Sequence, residues 1–304
     1  MSLTPTTAAA LEAVGLDPAY VEDVVRASVA EDLGGGVDVT SAATVPPEQR
    51  ATVDLVTRET GVVAGIPVAA AVFDAVSGGA AVVTTVCDDG ARVSPGDVLL
   101  TVTGRTHELL TAERTALNLL CHLSGVATAT AQWADALEGT GTRVRDTRKT
   151  TPGLRVLEKY AVRCGGGVNH RMYLSDAALV KDNHVVAAGG VAPAFDKVRA
   201  MWPDLSVEVE VDSLGQLTEV LDAGADLVLL DNFAPAQMRL AVGIAKEHAA
   251  HTGNRRATLE ASGGLTLADA AEVGATGVDY ISVGALTHSA SVLDIGADLR
   301  PLER

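Results

Sequence analysis

From residue 143 to residue 285 the chain repeats one pattern six times: a short apolar strand, a loop and a helix. The strands read as 142–146, 178–181, 207–211, 227–230, 257–261 and 280–283. Helix starts follow them at Thr151-Pro152, at the capping box Ser213-Leu-Gly-Gln216, at Pro235 and at the box Thr266-Leu-Ala-Asp269. No hairpin turn joins neighbouring strands, and strands joined only by helical crossovers must run parallel. A parallel sheet of this kind closes most economically into a barrel. Six units are fewer than the eight of a full barrel, so a reduced or open one is expected. A doubly wound sheet is the alternative, but no Gly-x-Gly-x-x-Gly follows a first strand.

The first third has a different period. Asp17-Pro18 caps a helix whose apolar stripe is Val21, Val24, Val25 and Val29, and Gly34-Gly35-Gly36 ends it. Residues 51–57 alternate as a strand, a short helix follows near 66–76, and further strands fall around 81–86 and 98–102. A long helix is expected from Thr111. This portion reads as a small α/β sandwich. The run Ala91-Arg-Val-Ser-Pro-Gly-Asp-Val resembles a lipoyl-carrier hairpin, yet no lysine sits at its tip to carry a swinging arm.

Hydrophobic residues make up 47% of the chain and aromatic residues only 3%, so the core must be Val, Leu, Ile and Ala. That suits buried parallel strands under Ala-rich helices. The net charge of −16 argues against nucleic acid or an anionic membrane as partner. No apolar run reaches the roughly 20 residues of a membrane span. Met1-Ser-Leu-Thr-Pro-Thr-Thr has neither a basic start nor an apolar stretch, so no export signal is expected. Cys87, Cys121 and Cys164 are scattered and read as buried reduced thiols of a cytoplasmic protein.

Against the acidic background, the stretch from Arg143 to His184 holds nine Lys/Arg and four Asp/Glu, a local balance of +5. Its cations alternate with Gly, Pro, Asn and His, as in a pocket for a small multiply charged anion. In a parallel barrel the loops at the carboxyl ends of the strands share one face and build the site. Every unit ends there in residues capable of chemistry: Arg148 and Lys149; Lys181 with Asp182 and Asn183; Glu210 with Asp212; Asp231 with Asn232; Ser262-Gly263-Gly264; and Gly284. Glu208 and Glu210 project to the same side of their strand, so at least one must lie inside or at the mouth. A carboxylate there needs a lysine or a divalent ion. The glycines after the last two strands can turn backbone N–H groups toward a phosphate, although either could be an ordinary turn. Arginine forks suit a dicarboxylate, and Mg²⁺ held by few carboxylates suits a pyrophosphate. The residue chemistry points to a transferase or lyase acting on a phosphorylated sugar.

Longer motifs narrow this. Asp146-Thr-Arg-Lys-Thr-Thr-Pro-Gly-Leu-Arg155, Glu158-Lys-Tyr-Ala-Val-Arg-Cys-Gly-Gly-Gly167, Asn169-His-Arg171, Lys181-Asp-Asn-His184 and Leu259-Glu-Ala-Ser-Gly-Gly264 resemble the quinolinate phosphoribosyltransferase family over nearly the whole chain. Glu31-Asp-Leu-Gly, Ala112-Glu-Arg-Thr-Ala-Leu-Asn and Ile281-Ser-Val-Gly-Ala285 resemble its other signatures, in the same order. The resemblance implies a type II phosphoribosyltransferase architecture: an N-terminal α/β sandwich over 1–118, rejoined by 286–304, and an open six-stranded α/β barrel over 119–285. It implies Mg²⁺-dependent transfer of phosphoribosyl from phosphoribosyl pyrophosphate to quinolinate with decarboxylation, within NAD biosynthesis. Arg148, Lys149, His170 and Arg171 would fix the quinolinate carboxylates, joined by Arg114 from the neighbour in a homodimer. Lys181 would lie between ring and pyrophosphate, Glu210 and Asp231 would serve the metal and the ribosyl cation, and Lys149 and Lys181 would count with them as catalytic. Thr147, Ser262, Gly263, Gly264, Val283, Gly284 and Ala285 complete the implied substrate contacts.

Three other readings stand beside this one: a homologue with a different pyridine acceptor, a Schiff-base aldolase using Lys149 or Lys181, and a non-catalytic anion-binding protein.

Overall fold

The computed structural model describes residues 3–302, so the first two residues of the stretch read for an export signal lie outside it. The chain forms two compact units. One comprises residues 3–131, 150–166 and 286–302; the other comprises residues 132–149 and 167–285.

The elements follow in chain order. Helix α1 (Pro5–Ala13) is capped by Thr4, and α2 (Pro18–Leu33) by Asp17, which accepts from the Ala19 amide; Gly34 ends α2 in the left-handed conformation that spares it a Cβ clash. Then come α3 (Val39–Thr44), β1 (Arg50–Thr57), β2 (Gly61–Val62), α4 (Ile66–Ser77), β3 (Val82–Thr85), β4 (Arg92–Val93) and β5 (Val98–Arg105). Helix α5 (Thr106–Ala136) begins five residues before the expected Thr111, because β5 runs straight into it and Gln49 accepts the Thr106 amide. Beyond it lie β6 (Arg143–Arg145), α6 (Arg155–Cys164), β7 (Ala178–Val180), α7 (Asp182–Ala188), α8 (Val191–Met201), β8 (Val207–Val211), α9 (Leu214–Asp222), β9 (Leu227–Asp231) and α10 (Pro235–Thr252). The chain ends with β10 (Thr258–Ser262), a 3₁₀ turn (Leu267–Asp269), α11 (Ala270–Gly274), β11 (Tyr280–Ser282), α12 (Ala285–His288) and β12 (Ile295–Pro301).

The first unit is built on an antiparallel sheet of order β12-β1-β5-β3, with β2 and β4 forming a small separate ribbon. Helix α4 packs on β5 and α2, burying Val68, Val72 and Phe73. Each such side chain contributes about 1.5–3 kcal/mol of burial energy. Helix α6 starts at Arg155 rather than at the expected Thr151-Pro152. Gly153 adopts φ +83°, and the Thr151 carbonyl accepts from the Leu154 amide, so a turn occupies the place of the first helical residues.

The second unit is a six-stranded parallel sheet of order β6-β11-β10-β9-β8-β7. This is the order of a ring cut once: from β7 to β11 each strand pairs with the next in sequence, β6 closes onto β11, and β6 and β7 remain unpaired with each other. The barrel is therefore open, with its seam between β6 and β7. The segment after α6 lies along the free edge of β6, where Val168 donates to the Val144 carbonyl and Asp146 donates to the Val168 carbonyl. That pairing brings Asn169, His170 and Arg171 into the seam. Among the described residues, no helix is long and apolar enough to cross a membrane.

Candidate active site

A cavity of about 300 Å³ in the second unit is lined by Thr147, Arg148, Lys149, His170, Arg171, Leu179, Lys181, Leu229, Glu260, Ser262 and Ser282. The lining has two sources. Leu179, Leu229 and Glu260 point inward from β7, β9 and β10, while the cations come from the loop after β6, the seam segment and the end of β7. Seven of the residues expected from sequence thus share one cavity: Thr147, Arg148, Lys149, His170, Arg171, Lys181 and Ser262.

Repulsion among the cations shows in their chemistry. Arg171 is held below the usual arginine range by burial and by the neighbouring charge of Arg148. One of its amines donates to the Ala177 carbonyl at 2.8 Å, which fixes the side chain. The Nε of Arg148 is buried with no hydrogen-bond partner in the protein. A donor left in that state costs about 1–3 kcal/mol unless a ligand accepts from it. At the rim, the Lys181 ammonium lies 3.1 Å from Glu210 Oε2. Asp231 ends the neighbouring strand β9 and accepts from the Asn232 side chain at 2.8 Å.

The last two strand ends are arranged for close backbone packing. Asn232 is the one non-glycine residue with positive φ among those described, and its amide donates to the Ser262 carbonyl. Gly263, at φ +102°, sits so close that a Cβ would fall 2.2 Å from Asn232 Oδ1. Glycine is therefore required at 263 by the packing of the turn itself. Gly264 has φ +62° and open space beside it. Val283 donates to the Arg145 carbonyl, and Gly284 and Ala285 lead into α12. Arg114 belongs to the first unit, exposed on α5, and is not among the residues lining this cavity.

Beneath the cations lies a cluster that the sequence reading largely passed over. Arg145, Glu208 and Glu260 project inward from the alternate strands β6, β8 and β10, the arrangement by which such barrels fill one interior layer. Arg145 Nη1 lies 2.6 Å from Glu260 Oε2 and 3.9 Å from Glu208 Oε1. Its guanidinium also stacks 4.9 Å from the Tyr280 ring centroid. Burial opposes the charge on Arg145, but the two carboxylates outweigh it and hold its pKa above the usual range. Both acids move upward because burial disfavours their charged forms, and for Glu260, pushed up to about 7, the charge of Glu208 adds to the effect. Asp146, fully buried, accepts from the His170 amide at 2.8 Å and the Asn169 side chain at 2.6 Å.

His170, Glu208 and Glu260 bring ligand atoms within 4.8 Å of one another, close enough to suggest a metal site. Arg145 already supplies the cation between the two acids, so the trio reads as a protein ion cluster. The signal for it lies in the sequence: Glu260 interrupts Thr258-Leu-Glu-Ala-Ser262 as Glu208 and Glu210 interrupt β8.

Comparison with known proteins follows the same lines. Residues 38–124 match the family model described as quinolinate phosphoribosyl transferase, N-terminal domain, and residues 126–298 match its C-terminal domain. A relative from Mycobacterium leprae, named nicotinate-nucleotide pyrophosphorylase (carboxylating), is 53% identical over 91% of this chain and 96% of its own length. A tobacco relative named quinolinate phosphoribosyltransferase (decarboxylating) 1b is 37% identical over 91% of this chain and 82% of its own. The crystal structure of NadC from Streptococcus pyogenes superposes with a TM-score of 0.88 at 39% identity, covering 95% of this chain and 99% of that one. With both family models matched and the open barrel shared, the chain belongs to the quinolinate phosphoribosyltransferase family of enzymes.

Proposed function

We propose that this enzyme transfers phosphoribosyl from phosphoribosyl pyrophosphate to quinolinate and decarboxylates the product to nicotinate mononucleotide. The observation that carries the reading is the cavity itself: two leucines offer apolar faces to a planar ring, and Arg148, Lys149, Arg171 and Lys181 converge around them. A pyridine dicarboxylate matches that pattern in shape and charge, with arginine forks for its carboxylates. The names of the Mycobacterium leprae and tobacco relatives agree with it.

In this mechanism the pyridine nitrogen attacks C1′, and the bond from C1′ to the pyrophosphate oxygen breaks with its electron pair leaving on pyrophosphate. Positive charge develops at the ribosyl carbon, and Glu210 and Asp231, near the carboxyl ends of the adjacent strands β8 and β9, would stabilise it. The ribosylated nitrogen then carries a positive charge. It stabilises the electron pair left on the adjacent ring carbon when CO₂ departs, and a proton from solvent completes the product. No protein nucleophile is used. Lys181 is half exposed and ion-paired with Glu210, unlike the desolvated lysine a Schiff-base aldolase requires.

Mg²⁺ fits the donor set at the rim, where Glu210 and Asp231 present hard carboxylate oxygens. When bound there it would neutralise charge on the pyrophosphate. The turns at Ser262-Gly263-Gly264 and Val283-Gly284-Ala285 would take the phosphate. We further propose a homodimer, in which the exposed Arg114 reaches the neighbouring subunit's acceptor end, acting in the cytoplasm within NAD biosynthesis. The test is release of pyrophosphate and CO₂ on mixing enzyme, quinolinate, phosphoribosyl pyrophosphate and Mg²⁺. Turnover with nicotinate and none with quinolinate would overturn the reading.

A further inference from the structure

We propose that His184 is a positioning residue: its imidazole fixes the backbone of Lys181, and thereby the place from which the lysine ammonium reaches the reacting groups. The inference rests on reading Lys181 as an active-site lysine of phosphoribosyl transfer.

Strand β7 runs into helix α7 with no loop between them, so Lys181 stands alone at the junction. Its backbone is extended, with φ −112° and ψ 169°, as expected of a helix N-cap. A lysine side chain has no atom that accepts a hydrogen bond, so it cannot cap the amides of the first turn. The helix holds the lysine instead. His184 is the third residue of α7, and its Nδ1 accepts from the Lys181 amide at 2.9 Å. The Lys181 carbonyl accepts from the His184 amide at 2.8 Å and from the Val185 amide at 3.0 Å. Both backbone polar groups of the lysine are therefore engaged, and His184 takes part in each. Glutamate or glutamine makes the same backward reach in an ordinary capping box.

The position of Lys181 in the sheet makes this grip matter. Strand β7 is an edge strand that pairs with β8 alone, and its other side faces the seam. The ladder with β8 ends at Val180, opposite Val209, so Lys181 lies one residue beyond the last pair. The sheet does not fix it; α7 does. From there a flexible four-carbon stem carries the ammonium to 3.1 Å from Glu210 Oε2. Lys181 lines the cavity and His184 does not, so any effect of His184 on the chemistry passes through the lysine. This accounts for the spacing of the Lys181-Asp-Asn-His184 motif, whose ends are the N-cap and the third helical residue. The two residues between them bond to each other: the Asn183 amide donates to Asp182 Oδ1 at 2.7 Å.

The experiment compares His184→Ala and His184→Gln in the intact enzyme, each alone and combined with Lys181→Ala. Glutamine can reach back to the Lys181 amide and alanine cannot. His184→Ala should lower kcat about fivefold, the equivalent of one lost capping contact, and His184→Gln should restore it. In the Lys181→Ala background, His184→Ala should cost no further activity, because the residue through which it acts is gone. Amide hydrogen exchange gives a readout that needs no turnover. The Lys181 amide should be protected in the wild-type protein and in His184→Gln, and should exchange about fivefold faster in His184→Ala. Should His184→Ala fail to fold, the wild-type exchange and the activity of His184→Gln still decide the matter. An unprotected Lys181 amide in the wild-type protein, full activity in folded His184→Ala, no rescue by glutamine, or a loss that persists undiminished without Lys181 would overturn the proposal. An enzyme inactive on quinolinate would sink the functional reading, while exchange at the Lys181 amide would still test the grip of His184.

Discussion

Glu208 and Glu210 face the same barrel interior two residues apart, yet they live under different rules. Glu208 belongs to the floor, a nearly dry layer where two acids share Arg145 and press against His170. Glu210 belongs to the rim, where its partner Lys181 is half exposed and water reaches both. Depth alone separates them. On the floor an ionic group cannot lose its partner without stranding a buried charge, so its contacts are fixed. At the rim partners can be exchanged, and a substrate phosphate or a metal can replace a lysine at little cost. A barrel of this kind thus keeps a rigid polar layer under an adaptable one, and the cavity lined by Arg148, Lys149, Lys181 and Glu260 spans the boundary between them.

The strongest way to break that contrast is at the floor. Arg145→Leu leaves Glu208 and Glu260 facing each other without a cation and should destabilise the fold by about 3–5 kcal/mol. Urea unfolding measures this, and a loss under about 1 kcal/mol would mean that the cluster is not held together by Arg145.

The next effect is one of pH. Glu260 sits near 7 in the fold against an ordinary 4.5, so the folded state binds its proton more tightly than the unfolded chain does. That contribution is fully present below about 4.5 and is lost as pH rises through about 7, a change of roughly 3 kcal/mol. Glu260→Gln carries no such proton. Between about pH 5 and about pH 8, the wild-type protein should therefore lose stability relative to this variant. Parallel stability curves for the two proteins would show that Glu260 ionises on the floor as it would in water.

Much of this was legible in the sequence. The six strands, the caps Asp17 and Ser213, the helix start at Pro235, and the cations Arg148, Lys149 and Lys181 all follow from local rules, because period, capping and strand-end position are local properties. The floor was not, because a layer drawn from alternate strands appears only when the register of the whole barrel is known. Glu260 enters the sequence analysis only as part of the Leu259-Glu-Ala-Ser-Gly-Gly264 motif, and Arg145 only as one basic residue in a basic stretch. The seam was hidden for the same reason. Nothing near Val168 announces that it pairs with β6, yet that pairing delivers His170 and Arg171. Gly263 shows the opposite case. Its glycine was noticed for a phosphate, whereas its close approach to Asn232 requires glycine in any event.

At the rim, effects on stability and activity should part company. Lys181→Ala removes a half-exposed ammonium, so unfolding free energy should change by less than about 1 kcal/mol. Turnover should fall about 100-fold, the usual consequence of losing one well-placed charge at a reacting centre. A variant that unfolds, or one that keeps full activity, would move Lys181 out of the adaptable layer.

The smallest structural effect is expected at Glu210, and it sharpens the contrast most because Glu208 lies two residues away on the same strand. Glu210→Gln keeps shape and hydrogen bonding and removes one negative charge. Lys181, released from its pair, still reaches solvent, so no charge is stranded and stability should stay within about 1 kcal/mol of wild type. If the rim carboxylates hold Mg²⁺, the variant should need about tenfold more Mg²⁺ for half-maximal activity, since a hard cation depends on the charge of its few ligands. A titration of activity against Mg²⁺ measures this. An unchanged Mg²⁺ requirement would leave Glu210 as the partner of Lys181 and shift the metal to Asp231 and the pyrophosphate itself.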